Sequence, residues 1–380
     1  MHVLQVIDDV SRLGAAGRSL LAMTPRLVRA GVSLDVAYLH DAPGGCQAEL
    51  TGAGAAVFAV GRPGRTATAA ALHRLIRERR PDLVHTTRHA GDRRSDLLAR
   101  AAALAARTPV VTSLADPPPG AAGAAGRGPS QALDAATARG TRRFHALTRY
   151  VAATTAQHLR VPRRRIDVVP RGRDPELLGT ATPERRATVR EALGLPGDVP
   201  VVLAAAGQYH HKGLDVLLHA WPAIRRAEPA AVLLLAGADG PETALLRALA
   251  DATDAGDVRF LGARADVADL MAAADAVAVP ARRDGQGGAA IEAMGVGTPL
   301  VCTDLPGLRE TVGSEDYARL VPPERPADLA AAIADTLAHR SAARSRATAA
   351  RARFLTSFTL HQVSSQMVEF YERSLRVRPA

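Results

Sequence analysis

Residues 200–221 read PVVLAAAGQYHHKGLDVLLHAW, which joins an apolar run, a glycine-containing loop and a segment with helical periodicity. The apolar run 200–207 predicts a buried strand, and apolar residues recur at helical spacing over 213–227. A strand that enters a helix through a short glycine loop is the repeating unit of a parallel α/β sheet, in which ligands bind beyond the carboxyl ends of the strands. This segment therefore predicts the fold class and the edge of the sheet at which a site should lie.

The same alternation of strands and helices fills both halves of the chain, so we expect two doubly wound, Rossmann-like α/β domains of similar size. In the first half, the predicted strands are 2–7, 33–39, 55–60, 82–86, 109–114, 144–148 and 166–170. In the second half, they are 200–207, 230–237, 258–262, 276–280, 299–304 and 317–322. Long helices near 326–349 and 360–375 are expected to close the chain.

The expected domain boundaries follow from this rhythm and from composition. Residues 1–173 form the N-terminal domain, 174–358 the C-terminal domain, and 359–380 a helix that returns to the N-terminal domain. The polar stretch 171–198 predicts a hinge, and the Gly-, Ala- and Pro-rich stretch 115–131 predicts a mobile surface loop. Two such domains facing each other would hold a ligand in the cleft between them.

Composition argues against nucleic-acid binding, although the formal net charge is +10. Arginine accounts for all but one of the 48 basic residues and is scattered along the chain, which indicates a coding bias rather than a selected patch. Aromatic residues make up 3% of the chain, too few for base-stacking platforms. Apolar residues at 47% and charged residues at 23% are ordinary globular usage and exclude a disordered chain. Small anionic ligands remain compatible with this charge.

The sequence predicts a soluble, cytoplasmic protein. No apolar run reaches the roughly 18–20 residues of a membrane span, and the apolar run within 1–14 is short and interrupted by acidic residues, unlike a signal peptide. Cys46 and Cys302 do not make a disulfide framework or a four-ligand zinc site. The arginine-rich stretches 74–80 and 163–165 are compatible with peripheral membrane contact, but the coding bias explains them equally well.

A second pattern lies in RRDGQGGAAIE (282–292), where Asp284 and Glu292 bracket a glycine-rich loop and the predicted start of a helix. The loop consists of Gly285, Gln286, Gly287 and Gly288. Glycines let a backbone approach a ligand closely, and the first N–H groups of a helix bind phosphate or sugar oxygens. Glu292, about one turn into the helix, is placed to accept hydrogen bonds from ribose hydroxyls. The pattern predicts a nucleotide-binding loop, whereas an isolated acid pair would indicate only a solvated helix.

Lys212 is the only lysine of the chain and precedes the predicted helix 213–227. Its ammonium is a compact point charge, whereas arginine presents a wide planar fork. A lysine at this place in an arginine-rich chain indicates a position where the smaller cation is needed. The alternative is chance, since a single lysine must fall somewhere.

Four segments of the second half resemble, in order and spacing, the retaining glycosyltransferases of family four, which have the GT-B fold. These are GQYHHKGLDVLLHAW (207–221), LLLAGADGPE (233–242), VRFLGARADVADLMAAADAVAVP (258–280) and RRDGQGGAAIEAMGVGTPLVCTDLPGLRE (282–310). The first half resembles the family more loosely, through HVLQVIDDVSRLGAAGRSLL (2–21), RPDLVHT (80–86) and IDVVPRGRD (166–174).

The resemblance implies a role for each of these residues. Lys212 would bind the donor diphosphate, Asp284 would meet the transferred sugar in place of the glutamate that the family usually has, and Glu292 would bind the ribose. The implied donor-binding set also includes Gly14, Gly207, Gln208, Gly262, Gly285, Gln286, Gly287 and Gly288. A plain turn is an equally good interpretation of Gly14.

The sequence departs from the family pattern at three places. Gln208 replaces an arginine that would pair with the diphosphate, and Arg171 and Arg173 are candidates to supply the missing charge, with a solvated hinge as the alternative. Ala115 occupies the position of a functional histidine. The neighbouring Asp116 is therefore a candidate catalytic residue.

Histidines give only a weak signal for a metal. His85 and His89 are four residues apart after a predicted strand, and His210 and His211 are adjacent, but neither pair has further ligand-type neighbours. Core or solvated histidines are the better interpretation, and no metal site or cofactor is expected.

These features predict a metal-independent retaining glycosyltransferase that moves a sugar from a nucleoside-diphosphate sugar, most simply a UDP-sugar, to an unidentified hydroxyl acceptor. The C-terminal domain would bind the donor, and the N-terminal domain would form the acceptor side. An epimerase of the same fold and an arginine-rich nucleic-acid-binding protein stay open as alternatives. A dinucleotide-dependent oxidoreductase is disfavoured because the first glycine loop lacks the full G-x-G-x-x-G pattern. The acceptor and the oligomeric state are not predicted.

Overall fold

The computed structural model describes residues 1–11, 15–41, 44–88, 94–118, 129–252 and 257–376. The chain divides into two compact units. The first comprises Met1–Gly172 and Leu360–Ala380, and the second comprises Arg173–Thr359. Each unit is a parallel α/β sheet covered by helices, which confirms the predicted fold class.

The first unit is built on a seven-stranded sheet. Its strands are β1 (His2–Asp9), β2 (Ser33–His40), β3 (Ala56–Ala59), β4 (Leu83–Arg88), β5 (Val110–Leu114), β6 (Arg143–Ala146) and β7 (Ile166–Val168). They lie in the order β3-β2-β1-β4-β5-β6-β7, and neighbouring strands are parallel. The order reverses between β1 and β4, so the connections leaving these two strands diverge and open a crevice at their carboxyl ends.

Helices follow the strands of the first unit. They are α1 (Ala15–Arg29), α2 (Gln47–Gly52), α3 (Arg65–Arg79), α4 (Arg94–Ala105), α5 (Pro129–Gly140) and α6 (Arg149–Leu159). Of the loop expected over 115–131, residues 119–128 lie outside the described residues, and α5 already begins at Pro129.

The second unit repeats the arrangement with six strands. They are β8 (Val201–Ala205), β9 (Val232–Ala236), β10 (Val258–Gly262), β11 (Ala276–Val279), β12 (Leu300–Thr303) and β13 (Arg319–Val321). The order is β10-β9-β8-β11-β12-β13, again all parallel, and it reverses between β8 and β11. A binding crevice is therefore expected at the carboxyl ends of these two strands.

The remaining helices belong to the second unit, except the last. They are α7 (Pro175–Leu178), α8 (Pro183–Ala192), α9 (Leu214–Ala227), α10 (Thr243–Ala252), α11 (Val267–Ala273), α12 (Gly288–Val296), α13 (Pro306–Val312), α14 (Pro326–Ala338), α15 (Arg340–Ser357) and α16 (Leu360–Arg376). Helix α16 belongs to the first unit. None of the helices described is both long and apolar enough to cross a membrane.

Side chains of β1 alternate between two apolar layers of the first unit. Val3 and Ile7 pack on the side of α1 and α16, and Leu4 and Val6 pack on the side of α3 and α4. By the same alternation, the polar Gln5 faces the layer beneath α1 and α16.

Residues 171–198, where the sequence predicted a hinge, contain two helices that were not predicted. Half of the stretch folds into α7 and α8 within the second unit. The Arg190 side chain is 2% exposed, and its guanidinium bonds to Asp275 at 2.7 Å and to the carbonyl of Ala273 at 3.0 Å. Arg190 is the buried residue of α8 and is held by this ion pair, whereas the apolar Val189 is only partly buried, so the polar sequence of α8 concealed the helix.

The long helix expected over 326–349 is interrupted. His339 has φ −104° and ψ 58°, outside the helical region, and it separates α14 from α15. Its backbone N–H still donates to the carbonyl of Asp335 at 2.9 Å, as in a helix. Neither a glycine nor a proline marks the end of α14. The sequence has no breaker at this point, and periodicity alone could not reveal the break.

Candidate functional site

The candidate site lies at the reversal of strand order in the second unit, where loops follow β8 and β11. The loop after β8 contains a single 3₁₀ turn, His210–Lys212, and Gly213 then precedes α9. Gly213 has φ +66°, and a Cβ on it would lie 2.0 Å from the carbonyl oxygen of Pro280. Glycine therefore lets this turn rest directly on the end of β11, which brings Lys212 to the loop that follows β11.

Arg282 fastens the two loops together. Its backbone N–H donates to the carbonyl of His211 at 2.9 Å, and its guanidinium makes two 2.7 Å hydrogen bonds to Asp215. Burial raises the pKa of Asp215, but the hydrogen bonds and charge of Arg282 outweigh burial and hold that pKa below its usual value. This pair was not predicted from the sequence, because the only signal was an acid in the first turn of a helix, which identifies no partner.

Lys212 and Asp284 form an ion pair, with Nζ 3.0 Å from Oδ2. The other carboxylate oxygen, Oδ1, accepts hydrogen bonds from the backbone N–H of Gln286 at 3.0 Å and of Gly287 at 2.6 Å. Burial raises the pKa of Asp284, but the charge of Lys212 and these hydrogen bonds outweigh burial and lower it. Asp284 is therefore an ionised group that holds both the lysine and the loop in place.

The start of α12 offers further hydrogen-bond donors. Gly287 precedes the helix with φ +84°, and a Cβ there would lie 2.2 Å from Cδ2 of Leu308. Residues 288–290 are the first three of the helix, so no carbonyl one turn earlier is available to their N–H groups. Ile291 is the first to donate within the helix, to the carbonyl of Gly287 at 3.1 Å. Because Asp284 already uses the N–H groups of Gln286 and Gly287, the donors left for an anion lie at 288–290.

Glu292 lies one turn into α12 and is paired with Arg173. The Arg173 Nε lies 2.7 Å from Oε1 of Glu292, and the two side chains are 15% and 11% exposed. Nη2 of the same guanidinium lies 3.4 Å from the position that a Cβ of Gly288 would take. One of the two arginine candidates thus lies beside the helix start, and its contact with the ribose-binding candidate was not foreseen from the sequence.

The other donor-binding candidates of the second unit lie around the same strand ends. Gly207 and Gln208 follow β8, and Gly262 ends β10, where its carbonyl accepts from the N–H of Gly237 at 2.8 Å. The Gln208 side chain is 1% exposed and donates to Asp239 at 3.1 Å. Gln208 is thus a buried, uncharged hydrogen-bonding group at the position where the family usually has an arginine.

The first-unit candidates are dispersed. Asp116 follows β5 and is partly buried, and Arg171 lies just after β7, where it lines a pocket. His85 is 2% exposed and lies in the core of the unit. Gly14 and His89 lie outside the described residues.

Metal-ligating side chains are not clustered in the described part of the chain: no group of three or more His, Cys, Asp or Glu residues there could hold a metal ion. Cationic groups and helix N–H groups are what the site after β8 and β11 presents to an anion.

Two family models match the chain, one in each half. The model described as "Glycosyltransferase Family 4" matches residues 16–177, and the model described as "Glycosyl transferases group 1" matches residues 200–339. The second match contains Lys212, Asp284 and Glu292.

Curated relatives share about a third of their residues with the chain over the matched part. The D-inositol 3-phosphate glycosyltransferase of Xylanimonas cellulosilytica is 34% identical over 229 residues, which are 57% of this chain and 53% of that protein. The GDP-mannose-dependent monoacylated alpha-(1-6)-phosphatidylinositol monomannoside mannosyltransferase of Corynebacterium glutamicum is 34% identical over 154 residues, 38% of this chain and 40% of that protein. The chain thus spans about half the length of the curated relatives it matches.

A solved structure matches the whole chain. The crystal structure of Anabaena HepE in complex with UDP-glucose superposes with a TM-score of 0.82 at 21% identity and covers 98% of this chain and 100% of that chain. This likeness concerns the fold.

Proposed function

This chain belongs to the family 4 glycosyltransferases, which have the GT-B fold, and on that premise we propose that it transfers a sugar from a nucleoside-diphosphate sugar to a hydroxyl group of an acceptor. The observation that carries the proposal is the Lys212–Asp284 ion pair beside the start of α12, at the strand reversal of the second unit. Parallel sheets bind nucleotides at such reversals.

Lys212 and the N–H groups of residues 288–290 would bind the donor diphosphate. In the reaction, the bond from the sugar C1 to the diphosphate oxygen breaks and the electron pair leaves with the diphosphate. A bond from the acceptor oxygen to C1 forms, and the hydroxyl proton passes to a phosphate oxygen. Negative charge therefore grows on the diphosphate, where a preorganised ammonium and helix N–H groups stabilise it.

Asp284 would act through its charge. Its lowered pKa keeps it ionised, so it accepts hydrogen bonds from sugar hydroxyls and does not donate a proton to the leaving group. It also fixes Lys212, because each of its carboxylate oxygens is held, one by the ammonium and one by backbone N–H groups. Donor binding would draw Lys212 from the carboxylate towards the phosphates.

Glu292 would bind the ribose, and Arg173 would supply the charge that Gln208 does not. Arg173 holds Oε1 of Glu292 and leaves Oε2 for the ribose hydroxyls. The guanidinium also lies beside the start of α12, which is the proposed diphosphate position. The pair therefore combines a ribose acceptor with a cation next to the phosphates.

The donor is proposed to be a UDP-sugar. HepE was crystallised with UDP-glucose, whereas the Corynebacterium glutamicum relative is named for GDP-mannose, so the nucleotide is the property to test first. A thermal-shift screen should show stabilisation by UDP-sugars, worth about 2.7 kcal/mol at a hundred times the dissociation constant. A larger shift with GDP-sugars would contradict the choice of nucleotide.

A transfer assay with the preferred donor tests the activity itself. Appearance of a glycosylated acceptor supports glycosyl transfer, and conversion of the donor sugar into an isomer without any acceptor would instead support the epimerase alternative. Lys212→Ala is the matched control, because it removes the diphosphate cation and leaves Asp215 and Arg282 to hold the loops.

A further inference from the structure

Arg282 joins segments that follow three strands of the second unit, β8, β11 and β13. It lies in the loop after β11, two residues before Asp284. Its guanidinium donates to Asp215 of α9 through Nη1 and Nη2, each at 2.7 Å, and to the carbonyl of His210 at 3.0 Å. Its Nε donates to Oε1 of Glu324, after β13, at 3.0 Å. All but one of the guanidinium N–H groups therefore donate to protein oxygens.

The turn that carries Lys212 is held from Arg282 at two successive carbonyls. The carbonyl of His211 accepts from the backbone N–H of Arg282 at 2.9 Å, and the carbonyl of His210 accepts from its guanidinium at 3.0 Å. Inside the turn, the N–H of Lys212 donates to the carbonyl of Tyr209 at 2.8 Å. Arg282 therefore fixes the backbone directly before Lys212 through both its main chain and its side chain.

The position of the Lys212 ammonium depends on this backbone. The side chain is a flexible stem that is 30% exposed, and within the described residues its Nζ pairs with Asp284 alone, at 3.0 Å. The stem is thus confined by its Cα at one end and by the Asp284 carboxylate at the other. Since Asp284 follows Arg282 by two residues, both ends of the stem rest on segments that Arg282 holds together.

Asp215 keeps other partners when Arg282 is removed. It lies in the first turn of α9. Burial raises its pKa, and Arg282 together with the backbone N–H groups of residues 215 and 216 outweighs burial and lowers it. A carboxylate at a helix start is also stabilised by the helix dipole. The loss of Arg282 therefore does not leave an isolated buried charge, and we expect such a variant to fold.

We propose that Arg282 is a positioning residue: it places the Lys212 ammonium beside the start of α12 through the turn His210–Lys212, without binding the donor itself. Its side chain is 17% exposed, and its guanidinium is occupied by two carboxylates and a carbonyl, which leaves it little capacity for a phosphate. The expected effect on turnover rests on the proposed glycosyl transfer, whereas the placement of Lys212 does not.

The lone lysine gives a direct readout of this placement. Protein grown on [ε-¹³C]lysine carries the label at Lys212 alone, so NMR shows one side-chain signal. In the wild type this signal should be shifted from the position of free lysine, because Asp284 holds the ammonium. In Arg282→Ala it should move towards the free-lysine position and sharpen as the stem is released. Asp215→Asn, which keeps an acceptor for one guanidinium N–H, should move the signal in the same direction by less.

Arg186→Ala is the matched control. Arg186 makes the same kinds of contact, to Asp275 at 2.7 Å and to two backbone carbonyls at 2.9 and 3.0 Å, and its side chain is also partly buried. Asp275 precedes β11, at the edge of the sheet opposite to Lys212. The control should leave the lysine signal and turnover as in the wild type, even where it lowers the melting temperature.

Turnover tests whether the placement matters for the reaction. Arg282→Ala should lower kcat about 10- to 100-fold, as for a catalytic group displaced by about 1 Å, and should change the KM for the donor by less than about threefold. Because Arg282 acts through Lys212, the double variant Lys212→Ala/Arg282→Ala should be no slower than Lys212→Ala alone. Arg282→Lys keeps the charge without the planar fork and should recover only part of the loss.

Circular dichroism first establishes that each variant is folded, and Asp215→Asn takes the place of Arg282→Ala where that variant is not. Three results would overturn the proposal: an unchanged lysine signal in the folded variant, an equal shift in Arg186→Ala, or a double variant that is slower than Lys212→Ala by the full factor of Arg282→Ala. A lysine signal that shifts only in the Arg282 and Asp215 variants, in a protein that transfers sugar from no donor, would support the positioning role and contradict glycosyl transfer.

Discussion

The two units reverse their strand order at equivalent points, between β1 and β4 and between β8 and β11, yet the chemistry beside each reversal is opposite. In the second unit, two ion pairs lie beside the reversal. Lys212 pairs with Asp284, and Arg173 pairs with Glu292 of α12. The first unit places a neutral hydrogen-bonded chain there, built on His85 and its neighbours.

The sheet therefore determines where a ligand binds, and the side chains determine which ligand it is. Paired charges beside a helix start suit a diphosphate, since the cations can exchange a carboxylate for a phosphate.

The largest effect is expected from Lys212. Lys212→Ala removes the ammonium beside the leaving diphosphate, and turnover should fall about 10²–10³-fold, as for removal of one preorganised donor. Lys212→Arg keeps the charge but brings a wider planar group, so it should retain much of the donor affinity and still lose turnover. The measurement is kcat and donor affinity for both variants.

The pair of variants separates the possible outcomes. Wild-type turnover in Lys212→Arg would mean that the lone lysine is an accident of composition. Wild-type turnover in Lys212→Ala would mean that the donor does not bind beside the Lys212–Asp284 ion pair.

A smaller effect is expected at the second ion pair. Glu292→Ala removes the ribose acceptor and should weaken nucleoside-diphosphate binding by about 1.5–3 kcal/mol, the scale of hydrogen bonds to a charged group. Arg173→Ala should weaken binding of the diphosphate more than binding of the free nucleoside, because the guanidinium lies beside the helix start. Calorimetry with UDP and uridine measures both effects.

The double variant of Arg173 and Glu292 sharpens this result. Substitutions of two side chains in direct contact have non-additive effects on binding free energy. The sum of the losses of UDP affinity in the two single variants should therefore differ from the loss in the double variant. Unchanged UDP affinity in folded Glu292→Ala would reassign Glu292 to a structural role.

The smallest effect concerns the buried histidines of the first unit and pH. In the unfolded chain, His85 and His145 take up protons near pH 6.5, whereas in the folded unit their pKa values are about 3 and about 4. Between pH 6.5 and 4 the unfolded state binds more protons, so the free energy of unfolding of the first unit falls as pH falls. One pH unit below 6.5 the loss is about 1.4 kcal/mol or less for each imidazole.

Fluorescence of Trp221 supplies the internal comparison, since it is the single tryptophan of the chain and is buried in α9 of the second unit. Asp215 and Asp284 have lowered pKa values and stay ionised through this window, so the second unit should hold its stability. Thermal unfolding by circular dichroism should therefore show a pH-dependent transition that Trp221 does not report. An equal loss of stability in both signals would contradict the assignment of the pH dependence to His85 and His145. A circular-dichroism transition whose temperature does not change between pH 7.5 and 5 would contradict it as well.

The parallel sheets could be predicted because strand periodicity and glycine loops are local features. The position of Lys212 could be predicted as well, since it follows a strand and precedes a helix. The break at His339 could not, because no glycine or proline marks it, and α8 was missed because Arg190 is buried by an ion pair with Asp275.

Within the site, the sequence predicted the charged candidates but not how they pair. The pairs are Lys212 with Asp284 and Arg173 with Glu292. Arg173 is 119 residues from Glu292, and no local pattern links an arginine before α7 to a glutamate in α12. The hydrogen-bonded chain of the first unit is equally non-local, because His85 and Tyr371 are 286 residues apart. Long-range pairs of this kind depend on the tertiary fold, which a single sequence does not specify contact by contact.

The most direct test of the central claim is the anomeric configuration of the product, measured by NMR in the presence of EDTA. If Lys212 and the start of α12 stabilise the diphosphate on the face that the acceptor attacks, an axial donor bond should give an axial product bond, and activity should survive removal of divalent ions. An equatorial product would contradict the retaining mechanism, and loss of activity that returns with added Mg²⁺ would contradict the role assigned to Lys212.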